Sequence, residues 1–144
     1  MTNDNMDTKW IYYGIFFDDD NKQKILKHAK NLCYKHGIKF PEDWTVYCDH
    51  MTLVFNNGHL EEQVFAEQFE NMLGQEQKLR CIGIGKSDKV IAMMIDFKTN
   101  NEHSHVTVAV GPTGKPVDSN YIENWIKDDG KNLEITGTYK KISK

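Results

Sequence analysis

The chain has 144 residues, 39% of them hydrophobic and 27% charged, and carries a formal net charge of -3. That balance describes a single folded domain, long enough to build a core without disulfide or metal staples. It argues against a protein that grips a long nucleic acid by releasing counterions, which needs a basic face.

No apolar run approaches the ~20 residues of a membrane span, and the polar, acidic start from Met1 to Asp7 reads as a loose tail, not a signal or transit peptide. Cys33, Cys48 and Cys81 are odd in number, widely spaced and form no CxxC. They read as apolar thiols in a reducing compartment, the cytoplasm (the host cytoplasm for a viral protein).

In chain order, Lys9 to Phe17 is aromatic and β-branched and predicts a buried strand. Asp18-Asp19-Asp20 supplies helix-capping chemistry, and Ile25, Leu26, Ala29, Leu32, Cys33 and His36 form a helical stripe ended by Gly37. Trp44 to Phe55 predicts one strand or two short ones. Glu61 to Leu73 predicts a helix with Val64, Phe65, Phe69, Met72 and Leu73 inward, stopped at Gly74. Strands follow at Lys78–Gly85, Val90–Phe97 and His105–Val110. Beyond the rigid loop Gly111–Pro116, a short helix is expected to start at Asp118 or Ser119 and carry Tyr121, Ile122, Trp125 and Ile126. A last strand, Leu133–Ile142, is interrupted at Gly137. The order predicts an α+β fold with mostly antiparallel pairing and helices outside.

One pattern occurs twice: His50-Met51-Thr52-Leu53-Val54 and His105-Val106-Thr107-Val108-Ala109-Val110. Residues i and i+2 of a strand share a face, so each copy sets an imidazole beside a hydroxyl while Met51, Leu53, Val106 and Val108 turn to the core. If the two strands lie side by side about a pseudo-twofold axis, two imidazoles and two hydroxyls converge. One neutral His then takes a proton from a nucleophile and one protonated His gives a proton to a leaving oxygen. Thr52 and Thr107 hold the non-bridging phosphate oxygens. This chemistry requires no metal or other cofactor, and the residues leave open which His is acid and which is base.

On these residues the chain resembles the two-histidine (2H) phosphoesterase superfamily. That group includes RNA phosphodiesterases, the cyclic phosphodiesterase domains of RNA ligases, and phage enzymes that destroy cyclic oligonucleotide immune signals. The likeness runs from Tyr12 to about Trp125 and is anchored at His50, Thr52, His105 and Thr107. A weaker anchor is the run Gly111–Asn120, similar to the loop and helix start after the second motif in several nucleotide-cleaving members. The resemblance implies a bilobal fold of two pseudosymmetric sheets facing each other across a cleft. It also implies chemistry on 2′,3′-cyclic phosphates or on 3′–5′ linkages with a neighbouring 2′-hydroxyl. The chain departs from the family in having Arg80 as its only arginine.

Further candidates surround this quartet. Lys115 could meet a phosphate or be a solvated loop lysine. Ser119 and Asn120 could sit at a phosphate-binding helix start or merely cap it. Tyr12 or Tyr13 could stack on a base, depending on which face of the first strand meets the cleft. Tyr139 could close over a ligand. Trp44 and Trp125 read as core. His103 beside His105 invites a zinc reading, but no HExxH and no Cys pair completes it. The expected partner is a small cyclic nucleotide or cyclic oligonucleotide, with a 2′,3′-cyclic phosphate on RNA or a nucleotide as the alternative. A nucleotide-binding module that does not cleave is the rival class.

Overall fold

The computed structural model describes residues 9–130 and 132–144; the expected tail over residues 1–7 lies outside them. Eight strands and two α-helices follow in the order β1 (Trp10–Phe16), α1 (Asp19–Lys35), β2 (Thr45–Val46), β3 (His50–Phe55), α2 (Leu60–Glu67), β4 (Glu76–Lys86), β5 (Val90–Ile95), β6 (His105–Val110), β7 (Trp125–Lys127) and β8 (Leu133–Ser143). Short 3-10 turns lie at Glu70–Met72 and Pro116–Tyr121. The α+β class and the antiparallel pairing are as the sequence predicts: every strand pair among the described residues is antiparallel.

The pairing path does not break into two sheets. It runs β6-β3-β1-β8-β4-β5 and returns to β6, a closed ring of six strands, with β2 added on β6 and β7 on β4. Length explains the junction. β8 has 11 residues: Leu133–Thr138 pair with β4, and Thr138–Ser143 pair with β1. The strand is therefore not interrupted at Gly137 but changes partner there. Glycine is needed because a Cβ at that position would lie 2.5 Å from Ile15 Cγ2 and 2.8 Å from Phe17 Cε1.

Helix α1 starts as expected. The Asp18 carboxylate accepts from the Asn21 amide at 2.9 Å, a cap worth about 1 kcal/mol. Asn21 Oδ1 in turn accepts from the Thr136 amide at 2.9 Å, tying the helix start to β8. Ile25, Ala29, Leu32 and Cys33 bury one face of α1 in the main core. There they join Ile15 of β1, Met51 and Leu53 of β3, Val106 and Val108 of β6, and Ile135 and Tyr139 of β8. Each fully buried aliphatic contributes about 1.5–3 kcal/mol. The opposite face of β1, β3 and β6 is left to build a site.

Two predicted helices differ. The helix expected over Glu61–Leu73 stops at Glu67, and Val64 is exposed. The chain must turn there to drop Phe69 into the core between Tyr13 and Tyr139, with ring centroids 6.2 and 6.1 Å away. The helix expected to carry Trp125 and Ile126 is only the 3-10 turn Pro116–Tyr121, and both residues belong to β7, paired with Gly85 and Ile84 of β4. The flat backbone at Gly85 is the reason. Its Cα face is covered by the Trp125 indole so closely that a Cβ there would collide with the ring. Trp44 packs against the main core, and Trp125 against a smaller one around Val90, Ala92, Val110 and Ile122.

Candidate active site

Segment 45–51 runs antiparallel along one edge of β6. Thr45 and Val46 pair with Val110 and Ala109, the Tyr47 and Cys48 amides donate to Val108 and Thr107 carbonyls, and Met51 pairs with Val106. The two short strands β2 and β3 are separated by Cys48, which adopts a left-handed φ of 55°. Past Met51, β3 leaves β6 and continues beside β1, where Gly14 pairs with Thr52 and Phe16 with His50.

The Met51–Val106 pair sets the site. Its antiparallel register puts His50 across from Thr107 and Thr52 across from His105. Both pairs lie on the face opposite buried Met51 and Val106. All four side chains line one cavity of about 510 Å³. β3 and β6 splay apart from this point, and the gap is closed by the Asn100 amide, which donates to the Leu53 carbonyl at 2.8 Å.

His105 is nine-tenths buried, and its Nδ1 lies 2.7 Å from the His103 carbonyl oxygen. A carbonyl only accepts, so Nδ1 carries the proton and Nε2 is the atom that gains or loses one. The Trp125 ring stands 6.0 Å from the His105 ring and 5.2 Å from that of His103. His50 stacks against two neighbouring rings, Tyr12, 5.1 Å away, and Phe16, 4.8 Å away.

Burial pushes both imidazoles below the usual histidine value of 6.5. At His50 the neighbouring Asp49 carboxylate opposes that shift and His105 adds to it; at His105 the bond to the His103 carbonyl opposes it. His50 therefore senses the charge of His105, and His105 that of His103. Asp49 itself pairs with Lys22 at 3.1 Å.

Thr107 Oγ1 lies 2.8 Å from Ser119 Oγ, and Ser119 is buried. Ser119 thus holds a hydroxyl of the site without lining the cavity itself. Tyr12 lines the cavity and also stacks near-parallel on Phe55, with centroids 6.3 Å apart. That settles the face of β1: Tyr12 meets the cavity, with Phe16 on the same face against His50.

Three candidates fall elsewhere. Tyr13 faces the core, where its hydroxyl bonds to Glu70 and its ring packs on Trp10. Tyr139 is buried, with its hydroxyl on Gln77 Oε1 at 2.9 Å, because β8 is flanked on both sides and turns this ring toward Phe69. Lys115 is exposed and outside the cavity lining; its backbone amide is taken by Asp118 at 2.8 Å to shape the 3-10 turn. Arg80 pairs with Asp96 at 3.5 Å, also away from the cavity. Among the described residues no Lys or Arg lines the cavity. No group of three His, Cys, Asp or Glu is placed to hold a metal among them either, so His103 gains no partners for the zinc reading.

Sequence reasoning missed three carboxamides. Asn57, Asn100 and Asn101 line the cavity from two loops, beside Asn120 of the 3-10 turn, which the sequence offers as a phosphate-binding or capping residue; Phe55, Val117 and Tyr121 lie on the rim. Asn57 is held by Glu62, whose carboxylate accepts from its side-chain amide at 2.8 Å. No periodicity marks such residues; only the Asn100-Asn101 doublet in the β5–β6 loop was visible as a local signal.

No protein-family model matches the chain, and no curated protein matches it at a significant level.

Proposed function

We propose that this protein is a phosphodiesterase of the two-histidine type that opens a small cyclic nucleotide or cyclic oligonucleotide by acid–base chemistry between His50 and His105. The observation that carries the reading is the convergence of two imidazoles and two threonine hydroxyls on one cavity through the Met51–Val106 register. The bilobal description of the fold belongs to the same reading, with the parted seam between β3 and β6 as its cleft.

In the reaction, a ribose 2′-hydroxyl attacks the adjacent phosphorus. A neutral imidazole takes the hydroxyl proton as the O2′–P bond forms. The protonated imidazole gives its proton to the 5′-oxygen as the P–O5′ bond breaks. The products are a 2′,3′-cyclic phosphate and a 5′-hydroxyl. His105 exchanges its proton at Nε2, since Nδ1 is committed to the His103 carbonyl. Thr52 and Thr107 donate to the non-bridging oxygens, where charge grows in the transition state.

A cavity lined by hydroxyls, carboxamides and the Asp49 carboxylate, with no lysine or arginine among the described residues that line it, suits the single charge of a diester better than the double charge of a monoester. Tyr12 and Phe55 offer faces for a base.

The test is incubation with cyclic mononucleotides, cyclic oligonucleotides and RNA ending in a 2′,3′-cyclic phosphate, with EDTA present, followed by chromatography. Ring opening of a cyclic nucleotide or oligonucleotide is the expected result. Turnover of the RNA end alone moves the substrate assignment to the 2′,3′-cyclic phosphate. Activity lost in EDTA and restored by zinc or manganese, or no turnover of any diester, overturns the reading.

A further inference from the structure

A second cavity, of about 310 Å³, lies beyond β6 and shares Asn101 and Asn120 with the first. Its walls differ in chemistry. Glu102 and Glu123 bring two carboxylates, and His103 and Trp125 bring two rings whose centroids are 5.2 Å apart. Ser119 lines it from behind Thr107, so it opens directly against the hydroxyl assigned to the phosphate.

Two carboxylates repel a phosphate; the first cavity has one, Asp49, and that one is paired with Lys22 at 3.1 Å, so the reacting diester is opposed less there. They accept hydrogen bonds and donate none while ionised. A flat group entering beside the indole must therefore present donors. Among the nucleobases, guanine offers two adjacent N–H donors, at N1 and N2, that match the two oxygens of one carboxylate; adenine offers a single amino group.

We infer that this second cavity is a nucleobase subsite that prefers guanine, packing the base against Trp125 and reading its N1 and N2 donors with Glu123 or Glu102. The inference rests on the phosphodiesterase reading, for it places the second nucleoside of a substrate whose diester sits between His50 and His105. Both glutamates are exposed, and neither belongs to the proton-transfer or phosphate-binding groups.

The experiment is calorimetric binding of the full chain to the 2′-deoxy dinucleotides d(GpG) and d(ApA), which lack the attacking hydroxyl and stay intact. The expected result is about 10- to 100-fold tighter binding of d(GpG), the discrimination of one bidentate contact. The double variant Glu102→Gln/Glu123→Gln should bring the two affinities within about threefold of each other, since an amide cannot accept from both donors. Equal affinities in the native chain, a preference that survives the double variant, or no binding of either dinucleotide overturns the subsite. Turnover is not read in this experiment. A chain that cleaves no diester yet keeps the guanine preference overturns the phosphodiesterase reading alone, and one that cleaves cyclic substrates with no preference among bases overturns the subsite alone.

Discussion

The Nδ1–H of His105 is held by the carbonyl oxygen of His103 across 2.7 Å, so a backbone atom two residues away decides which nitrogen of the ring faces chemistry. His50 is oriented differently, by stacking against Tyr12 and Phe16. One imidazole is fixed by a hydrogen bond and the other by ring contacts. Replacing either by Ala should lower turnover of the active substrate by about 100- to 10,000-fold. The double variant should be little worse than either single one, because the two act in one proton circuit. Steady-state kinetics on the three variants checks this. Near-native turnover by His105→Ala would remove the paired-imidazole mechanism.

The pH profile follows from the direction of the two shifts. Burial lowers both histidines from 6.5, so the acid member loses its proton below that value in the free enzyme. The profile of kcat/KM should be bell-shaped with its maximum on the acid side of 6.5, and its two limbs belong to the pair, not to either ring. A maximum well above neutrality would contradict the burial of the pair.

Stability should depend on pH through the same groups. His28, His50 and His105 all titrate below their unfolded value of 6.5, so the unfolded chain binds more protons on the acid side. Their contribution is complete above 6.5 and is lost as pH falls through that value toward the folded ones. Urea midpoints measured from about pH 7.5 down to about pH 5.5 should decline, and less steeply in His50→Phe.

Ser119→Ala tests the support of Thr107. It leaves the half-buried Thr107 hydroxyl without its 2.8 Å partner, with only the longer 3.4 Å contact to the Pro116 carbonyl. Stability should fall by about 1 kcal/mol, while kcat falls about 10-fold because the hydroxyl is no longer aimed at the phosphate. Ser119→Thr keeps the hydroxyl and should retain more of kcat than Ala; equal kcat values for the two variants would make Ser119 a packing residue only.

Gly137→Ala places a methyl against Ile15 and Phe17 where β8 changes partner. Overpacking of this kind costs about 1–3 kcal/mol. Chemical denaturation checks the size, and an unchanged midpoint would show that β8 shifts freely at the junction.

The strands that carry the quartet were legible because period-two alternation assigns each residue of His-x-Thr to a face, and Met51, Leu53, Val106 and Val108 are indeed buried. The face of β1 was not legible: Tyr12 and Tyr13 are both aromatic, and the choice is made by tertiary packing of Tyr13 on Trp10 and Phe69. Trp125 and Ile126 suit a helix stripe as well as a strand, and only the bare backbone of Gly85, some forty residues earlier, favours β7. Tyr139 is withdrawn from any ligand because β8 lies between β1 and β4, which local pattern does not show. Asn57, Asn100 and Asn101 come from loops, whose placement depends on contacts such as the Asn100–Leu53 bond and not on local pattern.

Within β3 itself the six-strand ring is closed on β6 by one registered pair, Met51–Val106, with the preceding segment 45–48 lying along β6, whereas β1 and β8 share a ladder running from Trp10 to Phe16. A hoop with one thin link breathes at that link. Opening there widens the mouth of the cavity with the rest of the circle intact, so a ligand too bulky for the resting shape gains entry without global unfolding. In deuterium uptake the Asn100 amide, bonded to the Leu53 carbonyl across the gap, should exchange early and those of Ile15 and Tyr139 last, and a bound nucleotide that bridges both sides of the link should slow Asn100 most.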